Sequence, residues 1–488
     1  MNGASALAGL RALLLGGALF ALVAHALLLG GMAVSRWWLP VCVLGVPVAL
    51  LAVARRRARA EPVVPLATER APRWLLGATC AVVTVCAAAL AYGALATPDR
   101  AWDGVVAWGI KTAALTAQPH VRQPYFADPA VFHHSPDYPL LQPLCLASLA
   151  QWFGDGPARL LFPMLYVLLT ALVGLAVRRH AQNGAAGCVA ALAVALTPVW
   201  INTSGGALDS GYAEGFFALA LAAAAVALLL GDAPLLAAAA VVLPLCKPEG
   251  SVHLLALVGA CFLATNKKLL AAALLGGAAA LLVWLPLQLR LGYQPPAGPL
   301  LAVGTVALAA GVFGVRQALD RLGVGVRGRT YVLVALAALG VTVLVGARPR
   351  FADDHGALLG QYVGGFERVL AKMPHVPAIL GGLFQQALLP RRFGLLFVLL
   401  LALPFVLGRR RADEPVAAVV LLLALGMCAV FGAFLLSPEA DVQHHLRSSA
   451  GRLLSHWVGV GWLVVGATVP VSLRWRRRGA APAAATTQ

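Results

Sequence analysis

The sequence predicts an all-α, polytopic membrane protein with about 12–14 transmembrane helices. Hydrophobic residues make up 60% of the 488 residues and charged residues only 11%, whereas soluble domains carry about 25% charged residues. Apolar runs that are long enough to cross a hydrocarbon core of about 30 Å as helices recur along the chain. Short basic clusters separate these runs, as in the loops of multispanning proteins. A water-soluble globular domain is therefore excluded.

The apolar runs place the individual crossings. They lie near residues 12–34, 37–54, 74–97, 157–177, 184–200, 212–231, 234–247, 251–265, 269–289, 299–315, 330–347, 393–408, 416–437 and 457–473. Segments 234–247 and 251–265 are short for a full crossing, so the predicted number of transmembrane helices ranges from 12 to 14. We divide the chain into an N-terminal helix pair with its cytoplasmic linker (1–73), a transmembrane core (74–473) and a cytoplasmic tail (474–488).

The basic clusters set the predicted orientation. They lie at 55–59, 178–179, 267–268, 316–329, 409–411 and 474–478. Positively charged loops stay in the cytoplasm, so both termini are predicted to be cytoplasmic. The net charge of +18 follows from this topology and does not indicate a nucleic-acid partner.

Three predicted extracytoplasmic stretches, 98–156, 348–392 and 438–456, are longer than a connection requires. They contain ten of the 19 acidic residues and eight of the 11 histidines. Long ordered loops commonly carry function. We therefore expect a functional site that faces outward.

The first stretch contains a predicted helix from Ala101 to Leu115 that lies on the membrane surface. Its predicted apolar stripe consists of Trp102, Val105, Val106, Gly109, Ile110 and Ala113, with Asp103 and Lys111 off the stripe. Asp99 precedes the helix, where an acid caps the first turn. Asp103 is the better catalytic candidate, and the alternative is an acid in the first turn that the helix dipole favours.

A Pro-rich turn follows, with His133, His134, Asp137 and Tyr138. These residues either belong to the functional site or form a generic interfacial turn with aromatic anchoring. In the third stretch, Arg447 and Arg452 follow His444 and His445. Each guanidinium can fork two hydrogen bonds onto one phosphate, and positioning by lipid headgroups is the alternative.

The segment LCKPEG, residues 245–250, interrupts an apolar region. Lys247 and Glu249 are costly at membrane depth unless they pair or line an aqueous cavity, and Pro248 breaks the helix between them. One interpretation is a structural ion pair at the break. The other places Lys247 near an anionic ligand group.

The sequence requires no cofactor. Eight cysteines without a Cys-x-x-Cys pair predict neither a disulfide framework nor a zinc site. The stretch 348–392 contains a predicted interfacial helix around 358–370. Before it, Asp353, Asp354 and His355 form either a solvated loop or a site for a divalent cation.

Four segments together resemble a known family. They are WDGVVAWGIKTAAL, HSPDYPLLQPL, CKPEG and HLRSSAGRLL, and in this order they resemble integral-membrane glycosyltransferases of the GT-C superfamily. The likeness is to the dolichyl-phosphate-mannose and aminoarabinose-transferase-like members of bacteria, which use polyprenyl-phosphate-linked sugars. Two departures are the position of the acidic loop after the third crossing and the lack of a large C-terminal periplasmic domain.

The resemblance implies a location in the bacterial inner membrane and roles for individual residues. Asp103 corresponds to the catalytic carboxylate; His134, Asp137 and Tyr138 to a second wall of the site; and Lys247 and Arg452 to contacts with the donor phosphate. Candidates for substrate binding are Lys111, His134, Asp137, Tyr138, Lys247, Glu249, Arg447 and Arg452.

The implied reaction moves a sugar from a polyprenyl phosphate to a lipid, glycan or protein acceptor, with membrane lipids around the enzyme. Such a transfer needs a base for the acceptor proton and cations for the leaving phosphate. The second function class is a transporter or flippase of lipid-linked precursors, in which Lys247 and Glu249 line the path. A membrane scaffold without activity is the third, but it would not need acids and histidines in long outer loops.

Overall fold

The computed structural model describes residues 3–60, 69–96, 104–128, 138–201, 208, 211–291, 298–335, 365–407, 414–437, 439 and 441–479. These residues form helices and turns. They contain no β-strand, and the isolated bridge between Glu69 and Asn183 is the exception to the helical pattern in this part of the chain. The prediction of an all-α fold is confirmed.

The helices of the described residues follow one another along the chain. They are α1 (Gly3–Leu29), α2 (Trp38–Ala60), α3 (Arg73–Ala96), a π-helical turn (Gly104–Gly109) that continues into α4 (Ile110–Ala117), α5 (Pro124–Ala127), α6 (Leu141–Phe153), α7 (Asp155–Ala158), α8 (Leu161–Ala181), α9 (Gly184–Ala195), α10 (Glu214–Leu230), α11 (Ala233–Cys246), α12 (Gly250–Ala264), α13 (Lys267–Leu291), α14 (Gly298–Arg321), a helical stretch at 326–335, α15 (Gly365–Lys372), α16 (Val376–Ala387), α17 (Pro390–Phe393), α18 (Leu396–Leu407), α19 (Glu414–Leu436), α20 (Val442–Ser455) and α21 (Val458–Gly479).

Five helical segments of the described chain are long and apolar enough to cross a membrane. They are Ser5–Leu29, Arg73–Ala96, Asp155–Ala181, Lys267–Leu291 and Glu414–Leu436. Several shorter apolar helices, among them α10, α11 and α12, pack between them. The apolar helices support membrane character, while the count of 12–14 crossings stays a prediction.

Consecutive antiparallel helices give the bundle two distinct ends. Arg11 near the start of α1 pairs with Asp232 in the turn from α10 to α11, at 2.9 Å. On the same side of the bundle, Lys267 at the start of α13 and Arg316 near the end of α14 both pair with Asp320. We call this side the basic end. The start of α10 and the turn from α11 to α12 lie at the opposite side, which we call the loop end.

The core of the bundle is built around α10, whose residues from Glu214 to Leu229 are buried with the exception of Phe216. Its composition of Ala, Leu and Phe lets helices approach it from every direction, since an all-apolar helix needs no polar face. Close approach also shapes the next turn. A side chain at Gly250 would collide with the carbonyl group of Leu243, so glycine allows α11 and α12 to meet at a sharp angle.

The surface helix predicted for 101–115 differs from the structure in its buried face. In the described part of this helix, Gly104, Trp108, Lys111 and Leu115 are buried, whereas Ala113 is exposed. The buried residues keep an α-helical spacing but lie two positions along the chain from the predicted stripe, so nearly the opposite face of the helix packs against α6. The predicted stripe with Lys111 on its outer side was therefore wrong.

Candidate active site

The helix break predicted at Pro248 is confirmed. Lys247 ends α11 in an extended conformation, with φ −149° and ψ 154°, and α12 starts at Gly250. Glu249 therefore lies in the turn at the loop end of the bundle. This turn presents its polar side chains to the space between α10 and α12 instead of burying them along a continuous apolar helix.

The main partner of Lys247 is Glu214, which the sequence analysis did not identify. The Lys247 Nζ atom lies 3.1 Å from Glu214 Oε1 and 3.8 Å from Glu249 Oε1. The side chain of Glu214 is 1% exposed and that of Glu249 is 28% exposed. The expected pair of Lys247 and Glu249 is thus a secondary contact. A signal was present in the sequence, because Glu214 is the first residue of an otherwise apolar helix.

Two buried histidines adjoin this ion pair. The ring of Phe217 lies 5.0 Å from that of His253 and 4.5 Å from that of His456. Trp457 stacks on His253 at 5.4 Å, in space that Gly426 leaves open because any side chain there would collide with the indole ring. The His253 Nδ1 atom is 2.9 Å from the carbonyl oxygen of Glu249. Imidazoles can donate or accept protons, so the ion pair is bordered by groups suited to proton transfer.

Arg452 reaches the same region from α20. Its guanidinium lies over the ring of Tyr212, 4.7 Å from the centroid, in a cation–π contact. Its charge also acts on Glu249 and on His456. Arg447, five residues earlier on the same helix, is exposed. The structure therefore places Arg452 at the site and leaves Arg447 on another face of α20.

The start of α20 is fixed by an acid. Asp441 caps the helix and accepts a hydrogen bond from the backbone N–H of His444 at 2.9 Å. This hydrogen bond lowers the pKa of Asp441 below its ordinary value. The segment 438–456, treated in the sequence as a loop, thus contains a capped helix that aims Arg452 at Tyr212.

Lys111 and Tyr138, two further candidates from the sequence, are in contact. The Lys111 Nζ atom lies 5.2 Å from the ring centroid of Tyr138 and 5.4 Å from that of Trp108. The Lys111 residue is fully buried. Cation–π attraction to two rings offsets part of the cost of removing the ammonium group from water.

A cavity of about 270 Å³ lies beside the π-helical turn and α4, and neither Lys111 nor Tyr138 lines it. Its walls include Gly104, Thr112, Gln142, Asp155 and Gly211. The buried Gln142 amide donates to the carbonyl oxygen of Gly211 at 2.5 Å. Gly104, which directly follows the candidate base Asp103 in the sequence, contributes backbone to the wall.

One short segment connects the cavity with the ion pair. Gly211 lines the cavity, the ring of Tyr212 contacts the guanidinium of Arg452, and Glu214 forms the ion pair with Lys247. Gly211 has a φ of +78°, a conformation that favours glycine. Residues from distant parts of the chain therefore meet around 211–214 at the loop end.

Several predicted residues lie outside the part of the chain that the structure describes. They are Asp99, Asp103, His133, His134, Asp137, Asp353, Asp354 and His355. Among the described residues, no group of three His, Cys, Asp or Glu side chains could hold a metal ion. The choice between a solvated loop and a cation site at 353–355 stays as the sequence left it.

The charges around the ion pair of Lys247 and Glu214 balance. Glu214 and Glu249 supply two carboxylates, and Lys247 and Arg452 supply two cations. The ammonium group of Lys247 already pairs with two carboxylates, so an incoming anion would have to share this ammonium group with them. Arg452, stacked on Tyr212, presents its guanidinium in a geometry that suits phosphate.

Comparisons of the chain with protein-family models, with curated proteins and with solved structures gave no match.

Proposed function

We propose that this chain is a membrane glycosyltransferase of the GT-C type, a hexosyl- or pentosyltransferase acting at the extracytoplasmic face. The donor is a sugar on a polyprenyl phosphate, and the acceptor is a lipid, glycan or protein. The observation that carries the proposal is the meeting of segments around 211–214. Tyr138 with Lys111, Gln142 with Gly211, Arg452 with Tyr212 and Lys247 with Glu214 bring the family-like motifs to one end of the bundle.

The proposed reaction is one displacement at the anomeric carbon. Asp103 accepts the proton of the acceptor hydroxyl, the acceptor oxygen bonds to the anomeric carbon, and the bond from that carbon to the phosphate oxygen breaks. The polyprenyl phosphate leaves with the electron pair. Arg452, assisted by Lys247, stabilises the negative charge that develops on the phosphate. Because a phosphate is a good leaving group, one carboxylate suffices, and the pair of carboxylates that glycoside hydrolases use is not required.

The cavity of about 270 Å³ beside Gly104 is the proposed position of the reacting sugar or acceptor group. Its wall combines apolar side chains with the polar groups of Thr112, Gln142 and Asp155. Pockets for small ligands commonly have such a mixture. Asp103 adjoins the cavity wall in sequence, which supports its assignment as the base.

A transporter of lipid-linked precursors is the second candidate, and one observation favours it. Charged side chains from α10, from the turn after α11 and from α20 gather between helices, with Glu214 and Lys247 buried. Buried ionisable groups between membrane helices commonly mark transport pathways. The sequence alone did not show this convergence.

One experiment separates the two candidates. The purified chain is reconstituted in liposomes with radiolabelled mannose, glucose or aminoarabinose on undecaprenyl phosphate, and a membrane-lipid extract is added as the acceptor. A transferase moves the label to the extract and releases free undecaprenyl phosphate in equal amount. If the intact donor instead crosses to the other leaflet with its sugar–phosphate bond unbroken, the transporter is correct and the transferase is not.

A further inference from the structure

A second cavity lies away from the candidate active site. It is a groove of about 540 Å³ between the N-terminal helices α1 and α2 and the core helices α6, α8, α10 and α11. Every side chain that lines it is apolar or aromatic. Lining residues Leu44, Phe153 and Met164 are more than half exposed, so the groove opens at the lipid-facing surface of the bundle. Its chemistry suits a hydrocarbon chain.

The groove and the active site occupy different faces of α10. Phe216, Ala220 and Ala223 line the groove, whereas Glu214 and Phe217 contact the ion pair and the histidines. At 100° per residue the mean directions of these two sets are about 120° apart. A ligand in the groove therefore leaves the candidate active site unoccupied.

A cation is fixed at the rim of the groove. The Arg36 guanidinium lies 4.4 Å from the ring centroid of Trp152 and donates to the carbonyl oxygen of Gln151 at 3.4 Å. Trp37 and Trp152, which both line the groove, pack edge to face at 4.4 Å, and the Trp152 indole N–H donates to the carbonyl oxygen of Arg36. Within the described residues, Arg36 makes no ion pair with a carboxylate.

We propose that this groove binds an anionic glycerophospholipid, with one acyl chain between the N-terminal helices and the core and the headgroup phosphate on Arg36. The apolar lining receives the chain, the tryptophan pair marks the level of the headgroups, and the guanidinium supplies the complementary charge. The lipid joins α1 and α2 to the core. This inference goes beyond the proposed transfer and does not depend on it.

The test measures lipid retention by native mass spectrometry of the full chain in detergent. The protein is titrated with phosphatidylglycerol and with phosphatidylcholine of the same acyl chains. Both lipids carry a phosphate, but the choline ammonium of phosphatidylcholine makes its headgroup neutral and repels the Arg36 guanidinium. We therefore expect one bound lipid with a preference for phosphatidylglycerol of about tenfold. Arg36→Gln should remove the preference. Arg391→Gln, which changes an exposed arginine outside the groove, should keep it.

A second pair of variants tests the groove itself. Gly17 lines the groove, and Gly9 lies elsewhere on α1; a side chain at either position meets no atom within 4 Å. Gly17→Leu should fill the groove and lower the retention of both lipids about tenfold, and Gly9→Leu should leave retention unchanged. The comparison of Arg36→Gln with Arg391→Gln leaves Gly17 unchanged, so it tests lipid binding even if Gly17→Leu folds poorly.

Three results would overturn the inference. They are equal retention of the two lipids by the unaltered protein, equal losses in Arg36→Gln and Arg391→Gln, and displacement of phosphatidylglycerol by undecaprenyl phosphate. The last result would assign the groove to the chain of a polyprenyl lipid. Sugar transfer is measured separately, so failure of this inference is distinguishable from failure of the proposed function.

Discussion

At the scale of single residues, the pairing of Lys247 shows what the sequence could reveal. Lys247 and Glu249 are conspicuous because charged residues interrupt an apolar run. Glu214 lies 33 residues before Lys247, and the pair forms because α10 and α11 run antiparallel. Helix spacing along one segment cannot reveal this contact. The sequence predicts that Lys247 needs an acidic partner, but it does not identify Glu214 as that partner.

The ion pair predicts a specific pattern of stability. Lys247→Met leaves Glu214 buried without its cation and should cost about 3–5 kcal/mol. Adding Glu214→Gln should recover most of the melting temperature. Adding Glu249→Gln instead should recover less, since Glu249 is farther away and partly exposed. Thermal unfolding of the purified variants measures all three, and equal recovery by both double variants would contradict the assignment.

His445 predicts a pH dependence of stability. This residue lies on α20, in a stretch predicted to be extracytoplasmic, with its ring 4.5 Å from that of Phe434. Burial, and then the positive charge of Lys372, lower the pKa of His445 from 6.5 to about 4, while Glu439 opposes the shift. The unfolded chain therefore binds a proton between these two values and the folded chain does not.

The contribution of His445 to stability is full above about pH 6.5 and decreases as the pH falls towards 4. His445→Gln removes this part of the dependence. Melting temperatures of the unaltered protein and the variant, recorded across this window, give the comparison. The prediction fails if the two proteins lose the same stability over the window.

At the scale of helices, the sequence predicts where an apolar helix breaks better than where a polar helix forms. The helix α11 contains Pro244 but ends at Cys246, just before Lys247 and Pro248, because proline lacks a backbone N–H and disfavours the helical conformation in the residue before it. By contrast, α20 is a polar helix within a long outer stretch, and its cap at Asp441 was not recognised. The predicted buried face of 104–117 was also wrong. The buried residues keep the helical spacing but lie two positions further along the chain, because packing against α6, which the local pattern does not encode, selects the buried face.

The C-terminal end of α12 gives a prediction about capping. Arg316 of α14 donates to the carbonyl oxygens of Cys261, Phe262 and Thr265 at this end. The Cys261 carbonyl also accepts from the backbone N–H of Thr265, whereas the last carbonyl groups of a helix otherwise lack partners within it. Hydrogen bonds from a charged donor contribute about 1.5–3 kcal/mol each. Arg316→Ala should therefore lower the free energy of unfolding by at least about 2 kcal/mol.

Arg329→Ala is the matched control for Arg316→Ala. Arg329 also binds Asp320, in a pair whose side chains are 18% and 17% exposed, but among the described residues it donates to no helix carbonyl group. Arg329→Ala therefore removes one ion pair, whereas Arg316→Ala also removes the hydrogen bonds to three carbonyl groups. Denaturation in detergent should give a clearly lower free energy of unfolding for Arg316→Ala than for Arg329→Ala. Equal destabilisation would mean that the ion pairs with Asp320, and not the capped carbonyl groups, stabilise this end.

At the scale of the molecule, the charge pattern predicted which helix ends lie together. Arg11, Arg179 and Asp232 meet at the basic end, and the candidate site lies at the other end. From the positive-inside rule we expect the basic end to face the cytoplasm. The sequence could predict this polarity, whereas the packing of the short helices around α10 depends on contacts that hydropathy does not encode.

Cysteine labelling tests the orientation. Gln118 is exposed at the loop end, and Lys268 is exposed at the basic end. With the exposed cysteines Cys80 and Cys428 replaced by alanine, Gln118→Cys should react in intact cells with a maleimide that cannot cross the membrane. Lys268→Cys should react only after permeabilisation. The reverse pattern would place the candidate site in the cytoplasm.

The central claim is that the loop end performs a sugar transfer with Asp103 as the base. The most direct measurement is turnover of undecaprenyl-phosphate sugar by Asp103→Asn in liposomes, beside Asp128→Asn, an exposed acid of the same outer stretch. Loss of the base should lower kcat by about 100-fold or more and leave donor binding unchanged, while Asp128→Asn keeps normal turnover. Near-normal turnover of Asp103→Asn would contradict the account.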